Sequence, residues 1–233
     1  MLTRLDAEFA AAMLATGLDQ RHSFVSALSG GADSTALCLL MARYAAANAK
    51  THRAIIVDHG IRANASAEAA RVATRMQARG IDVKIKKVSD KAPTTGIQAW
   101  ARRQRFDIML AHARRDNAAL LLGHHAGDQA ETIAMRLSKY SGLAGLAGMK
   151  RTSWRAGVPI GRPMLDWPAT RPADICQLFD CAFESDPSNL DRRFERIRLR
   201  QFMLHEQKYS TMLCQLGHAA RQILATLDQT LVD

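Results

Sequence analysis

Apolar runs and helical periodicities alternate through the first two thirds of the chain. Ser23 to Leu28 is a short apolar run that predicts a strand, and Ala32 to Ala47 carries a helical pattern. Ala54 to Val57, rich in branched residues, predicts a second strand. From Ala65 to Arg79, Ala69, Val72, Ala73 and Met76 share one helical face, and Gly80 supplies the residue that ends the helix. Val83 to Val88 alternates with the two-residue period of a strand. Ile97 to Ala113 is helical, Ala118 to Leu122 a short buried strand, and Gly127 to Lys139 helical again. The start of the chain is also helical in spacing, at Leu2, Leu5, Phe9 and Met13.

Such alternation builds βαβ units, so the fold expected is α/β, a parallel sheet with helices on both faces. Ligands of these sheets bind beyond the carboxyl ends of the strands. Ser29, Asp58 and the residues from Gly123 onward each follow a predicted strand, which makes them the positions to search.

The pattern changes after Tyr140. Ser141 to Met149 has glycines at 142, 145 and 148, a spacing that suits a tight turn or a mobile lid; the reading favoured is a mobile or a substrate-shaped loop. Arg151 to Leu165 is irregular or hairpin-like, and Ala169 to Phe179 helical. Arg192 to Gln207 reads as an arginine-rich helix, and Thr211 to Leu231 as a last amphipathic one. The expected division is a catalytic domain over residues 1–204 and a C-terminal helical extension or linker over 205–233.

Composition adds a direction. The net charge of +10 over 233 residues favours a polyanionic partner, because Lys and Arg release counterions from phosphates, although a merely basic soluble protein has the same balance. Cys38, Cys176, Cys181 and Cys214 form neither a C-x-x-C pair nor zinc-ligand spacings, which fits a reducing compartment. Asp6 and Glu8 interrupt any secretory signal, and no apolar stretch approaches the roughly 20 residues of a membrane span. These features predict a cytoplasmic, soluble protein.

The strongest chemical signal is Ser29-Gly30-Gly31-Ala32-Asp33-Ser34, between a predicted strand and a predicted helix. Its glycines permit a sharp turn and close approach of an anion, and the helix start offers free N–H groups. Ser29 and Ser34 add hydroxyls. No Gly-Lys-Ser/Thr follows, so this is not a Walker A loop. A carboxylate in an anion loop is repulsive by itself, so Asp33 is expected to work through Mg²⁺, and it also suits a helix start.

Asp128 and Glu131 lie three apart at a helix start and share a face. Read as exposed, they either await a cationic ligand or simply favour the helix dipole; the residues alone leave both open. His59, His124 and His125 follow strands, where each suits phosphate contact, proton transfer or a structural hydrogen bond.

The hexamer resembles the signature of the PP-loop ATP pyrophosphatases (adenine nucleotide alpha-hydrolase-like), whose loop holds the pyrophosphate that leaves ATP. Further segments narrow the resemblance: Val57-Asp58-His59-Gly60-Ile61-Arg62, Gly123-His124-His125-Ala126-Gly127-Asp128-Gln129-Ala130-Glu131-Thr132, Ser141 to Met149, and Ala101 to Phe106. Asp186-Pro187-Ser188-Asn189 through Arg196, Arg198 and Arg200 belongs with them. From the first strand to near residue 204 the chain is similar to the tRNA(Ile)-lysidine synthase family. It departs at Ile61 for Leu, Phe106 for Tyr, Ile197 for Asn, and Gly127 where the family usually has an acid.

This resemblance implies that the wobble cytidine of CAU-anticodon tRNA(Ile) attacks the α-phosphorus of ATP, and that free L-lysine then displaces AMP. It implies ATP contacts from Ser29 to Ser34, His59 and Arg62, and catalytic roles for Asp33, Asp128 and His124. Lysine falls to Asp128 and Glu131, with Arg102 or Arg105 clamping its carboxylate. Arg196, Arg198 and Arg200 are implied for tRNA phosphates, on a helix whose solvated face alone would also explain them. The lysine amine must lose a proton from a pKa of roughly 10.4, and Asp128 is the nearest base although it also favours the charged form. Two alternatives remain. A thiolase of the same superfamily would need paired cysteines, and Cys176 and Cys181 are widely spaced. A basic tRNA-binding module with a decayed loop would explain Gly127 but not the intact hexamer.

Overall fold

A computed structural model describes residues 2–61, 64–184, 195–205 and 207–230; for 195–197, 204, 205 and 207 only the backbone is described. Among these residues the strands are β1 (Ser23–Ala27), β2 (Thr51–Asp58), β3 (Asp82–Lys87), β4 (Ala119–Leu121), β5 (Thr152–Arg155) and β6 (Val158–Gly161). They form one sheet in the order β3-β2-β1-β4-β6-β5. Every pairing is parallel except that of the edge strand β5 with β6. The hairpin between them turns on Ala156 and Gly157, both at positive φ, a pair of left-handed residues that matches the twist of the strands it joins.

The expected α/β architecture is therefore present. Its helices are α1 (Leu2–Ala15), α2 (Ala32–Ala47), α3 (Ala65–Gln77), α4 (Ile97–Arg115), α5 (Ala126–Leu137), the short α6 (Leu143–Leu146), α7 (Arg171–Leu178), α8 (Glu195–His205) and α9 (Gln207–Thr230).

The chain forms two units. The first comprises Met1–Gly123, Arg151–Met164 and Thr170–Glu184, and holds the whole sheet. Neighbouring residues of β2 serve opposite faces of it. Ala54 and Ile56 pack with Cys38, Leu39, Val72 and Met76 of α2 and α3. Ile55 packs with Phe106, Met109 and Leu110 of α4. Burial on both faces is why this strand is a continuous apolar run rather than an alternating one. α1 lies on α2, where Phe9 and Phe24 each meet Tyr44 edge to face, at 6.1 and 6.4 Å.

β2 begins three residues before the apolar run. Thr51, His52 and Arg53 pair with Ser23, Phe24 and Val25. Each polar side chain finds a partner: Ser23 for Thr51, Ser26 for His52, and Asp82 with Asp116 for Arg53. Such partners make a strand that apolar patterning does not reveal.

The second unit comprises His124–Lys150, Leu165–Ala169 and Ser185–Asp233. Its core gathers Ala130 and Ile133 of α5 with Met203 of α8 and Leu213 of α9. The glycine-punctuated segment at 141–149 is folded as a turn that side chains of α5 hold by hydrogen bonds. Arg136 donates to the carbonyls of Gly145 and Gly148, at 2.6 and 2.9 Å. Gln129 holds both backbone groups of Met149. Two of the glycines are packing requirements here: a β-carbon at Gly145 would stand 2.6 Å from Cβ of Ser141, and one at Gly148 2.7 Å from Oε1 of Gln129.

Candidate functional site

The β1–α2 turn is built around Ser34. Its Oγ accepts the N–H of Ser29 at 3.1 Å and donates to the carbonyl of Gly31 at 3.0 Å. The Ser29 and Ser34 hydroxyls are 3.1 Å apart. Ser34 is buried, so it shapes the loop from within, while Ser29 is exposed. The first helical bond runs from Thr35 N–H to Gly31 O. The N–H groups of the first helical turn precede it, at the end of a helix where backbone donors suit an anion.

Two glycines let this turn exist. Gly30 has φ +91, and a β-carbon there would stand 2.8 Å from Cγ2 of Val72. Its carbonyl accepts the N–H of Glu184, whose carboxylate pairs with Arg75 of α3 at 3.0 Å. Gly123, just after β4, lies against the first turn of α2, where its absent side chain leaves room for the Asp33 backbone. Asp33 itself is half-buried.

Beyond β2, Asp58 is buried and closes its own turn. It accepts Gly60 N–H at 2.9 Å and Ser66 Oγ–H at 2.5 Å. Burial alone would raise its pKa; the Ser66 and Gly60 hydrogen bonds and the Lys87 charge outweigh that and hold it below the usual range. His59 follows, with its ring 6.1 Å from that of Trp100. Both its ring nitrogens are buried with no hydrogen-bond partner among the described residues. Burial, then the Arg105 charge, lowers its pKa against the pull of Asp58, which disfavours the charged imidazolium. Arg62 lies outside the described residues.

Arg102 and Arg105 are exposed on α4. The Arg102 guanidinium lies 5.2 Å from the centre of the Phe106 ring, and that of Arg155 4.9 Å. Sequence reasoning missed Arg162, which directly follows β6 and donates to Ser153 Oγ. Burial, and then the charge of Arg102, lowers its pKa. Its sequence signal is its place at the carboxyl end of a strand, hidden because Arg151 to Leu165 did not read clearly as strand.

In the second unit His125 caps α5. Its Nδ1 accepts the N–H of Gly127 at 3.0 Å, and its own N–H donates to Asp128 Oδ2 at 3.1 Å, a reciprocal cap. His125 therefore has a structural role, and Gly127 leaves space for it: a β-carbon there would stand 2.8 Å from Cε1 of the imidazole ring. His124, half-buried, precedes the cap.

Asp128 and Glu131 are not the exposed acids expected. They are 6% and 2% exposed and fold around Arg200. Its Nε donates to Glu131 Oε1 at 2.5 Å, and its Nη2 to Asp128 Oδ1 at 3.2 Å and Glu131 Oε2 at 3.3 Å. Carboxylates this deep need such a partner, since desolvating an unpaired charge is costly. Arg200, grouped by sequence with phosphate-binding arginines, is thus engaged by acids. Arg198 is exposed. The Arg196 side chain, Arg192 and the segment Asp186 to Asn189 lie outside the described residues.

The four thiols are free, and burial raises every one of their pKa values, that of Cys176 to about 12. No helix among the described residues is long and apolar enough to cross a membrane.

Residues 2–207 match the model of the PP-loop domain, and the chain belongs to that family. It is 41% identical over 184 residues to the tRNA(Ile)-lysidine synthase of Rhodopseudomonas palustris, covering 78% of this chain and 53% of that protein. With the enzyme of the same name from Novosphingobium aromaticivorans it shares 42% over 193 residues, covering 80% and 57%. The chain thus spans about half the length of the curated relatives it matches. Among solved structures, a U34-tRNA thiolase from Methanococcus maripaludis superposes with a TM-score of 0.77 at 17% identity, covering 94% of this chain and 78% of that one. An NH3-dependent NAD synthetase from Campylobacter jejuni gives 0.53 at 13% identity, covering 97% and 95%. These two likenesses show the fold alone.

Proposed function

We propose that this chain carries out the lysidine synthase reaction, joining free lysine to the wobble cytidine of CAU-anticodon tRNA(Ile) through an adenylated base. The observation that carries the reading is the buried Asp128–Glu131 pair on α5, already holding a guanidinium, in a chain with an intact PP-loop. Two buried carboxylates that gather a cation suit an ammonium group of lysine, which in this proposal displaces Arg200 or shares the acids with it.

In the proposed reaction the cytosine carbonyl oxygen attacks the α-phosphorus of ATP. The N–H groups at the start of α2 and the Ser29 hydroxyl hold the departing pyrophosphate. Asp33 offers a hard oxygen ligand in the same turn, which fits Mg²⁺; when bound, that ion neutralises phosphate charge. His59 and Arg62 contact the nucleotide, and His124 phosphate or a transferred proton. The lysine ε-amine attacks the activated ring carbon and AMP leaves. Asp128 is its proposed base, Glu131 its second anchor, and Arg102 or Arg105 holds its carboxylate. Because Arg200 is engaged by the acids, tRNA phosphates are assigned to Arg196 and Arg198. The target base must leave its stack to react. The catalytic portion proposed is 1–204, acting in the cytoplasm.

A thiolase reading is disfavoured by buried thiols with raised pKa values, because the thiolate is the reactive form. The test is release of pyrophosphate from ATP with and without an unmodified CAU-anticodon tRNA(Ile) transcript. Release that requires this tRNA supports the reading; no release above background contradicts it.

A further inference from the structure

One face of α9 is seated and the face beside it is exposed, apart from the Tyr209 ring, which packs 5.3 Å from that of Phe202. Leu213, Gly217 and Ala220 are buried in the second unit, and a β-carbon at Gly217 would stand 2.5 Å from Cδ1 of Ile133. Arg221 donates to the Ala147 carbonyl at 2.7 Å. The neighbouring stripe runs Tyr209, Met212, Leu216, Ala219 and Ile223, with Leu227 at its end, and all six residues are exposed. Their spacing of three, four, three and four is that of a coiled-coil seam, which points to another helix as occupant.

The stripe is self-complementary when run antiparallel. Tyr209 then meets Leu227 of a second copy, Met212 meets Ile223, and Leu216 meets the small Ala219. Each pair sums to 435 or 436, so one twofold axis serves all three, as an isologous dimer requires. The outer flank agrees. It carries Lys208, Gln215, Gln222 and Gln229, and the same register faces Gln215 with Gln222 and Lys208 with Gln229. No like charges oppose each other, in a chain whose net charge is +10. The exposed apolar side chains of the stripe offer roughly 500 Å² per copy and about 1,000 Å² per pair, near the lower limit of specific interfaces.

We propose that α9 is a dimerisation helix that pairs antiparallel with α9 of a second copy of this chain.

Sedimentation equilibrium of the full chain, up to roughly 100 µM, tests this. A reversible monomer–dimer equilibrium in the micromolar range is expected. A chain monomeric throughout overturns the proposal. Leu216→Glu, an exposed position, is expected to give monomers with unchanged circular dichroism; a persisting dimer overturns the assignment to this face. The register has its own test. Gln215→Lys with Gln222→Glu in one chain places opposite charges across the axis and should tighten the dimer about fivefold. Gln215→Lys with Gln222→Lys should weaken it. Equal dissociation constants for these two variants contradict the antiparallel register.

Discussion

A β-carbon at Gly123 would stand 2.7 Å from the carbonyl oxygen of Asp33 and 2.9 Å from its carbonyl carbon. The end of β4 thus touches the first turn of α2 through backbone alone, and no rotamer change relieves a clash there. Gly123→Ala is expected to displace the PP-loop, costing about 1–3 kcal/mol of stability. ATP affinity should fall with it, by roughly tenfold for each 1.4 kcal/mol transmitted to the loop. Chemical denaturation together with ATP titration checks both. An alanine variant of wild-type stability and affinity contradicts the contact.

Glu131 and Arg200 give a second prediction, because Glu131 is 2% exposed and its carboxylate receives Nε and Nη2 of that arginine. Removing one member strands the other, so Glu131→Gln should destabilise by about 3 kcal/mol. Glu131→Gln combined with Arg200→Met should cost less than the sum of the two single changes, by at least about 1 kcal/mol. Additive losses in denaturation experiments contradict a coupled pair.

His52 predicts a pH dependence. It is hydrogen-bonded to Ser26 Oγ at 2.9 Å, and burial lowers its pKa to about 4 against the opposing charge of Asp82. The folded state thus disfavours its protonation. Its contribution is fully present above the unfolded value of roughly 6.5 and is lost as pH falls from there towards 4. Between pH 6.5 and 5 the loss should reach as much as about 2 kcal/mol, at up to about 1.4 kcal/mol per unit. Denaturation of wild type and His52→Gln at both pH values isolates it, and identical pH dependence in the two refutes it.

The turns after β1, β2 and β4 were legible because burial on both sheet faces writes continuous apolar runs, and a hexamer such as Ser29 to Ser34 has few other uses. What stayed hidden depends on partners distant in sequence. Thr51 to Arg53 extend β2 only because Ser23, Ser26, Asp82 and Asp116 receive their side chains. Asp128 and Glu131 look exposed at a helix start, and only an arginine 69 residues beyond Glu131 reveals that they are buried. The glycines at 142, 145 and 148 suit a turn and a lid alike, and the Arg136 and Gln129 side chains that hold the turn lie outside the segment.

The most direct test of the central claim is transfer of labelled lysine to RNA. The chain is mixed with ATP, Mg²⁺, labelled L-lysine and an unmodified CAU-anticodon tRNA(Ile) transcript, beside the methionine tRNA that shares the anticodon. The account predicts ATP-dependent label in the isoleucine tRNA only, abolished by Asp33→Ala and by Asp128→Asn. Absence of label, with tRNA binding and an intact fold shown for the same preparation, contradicts it.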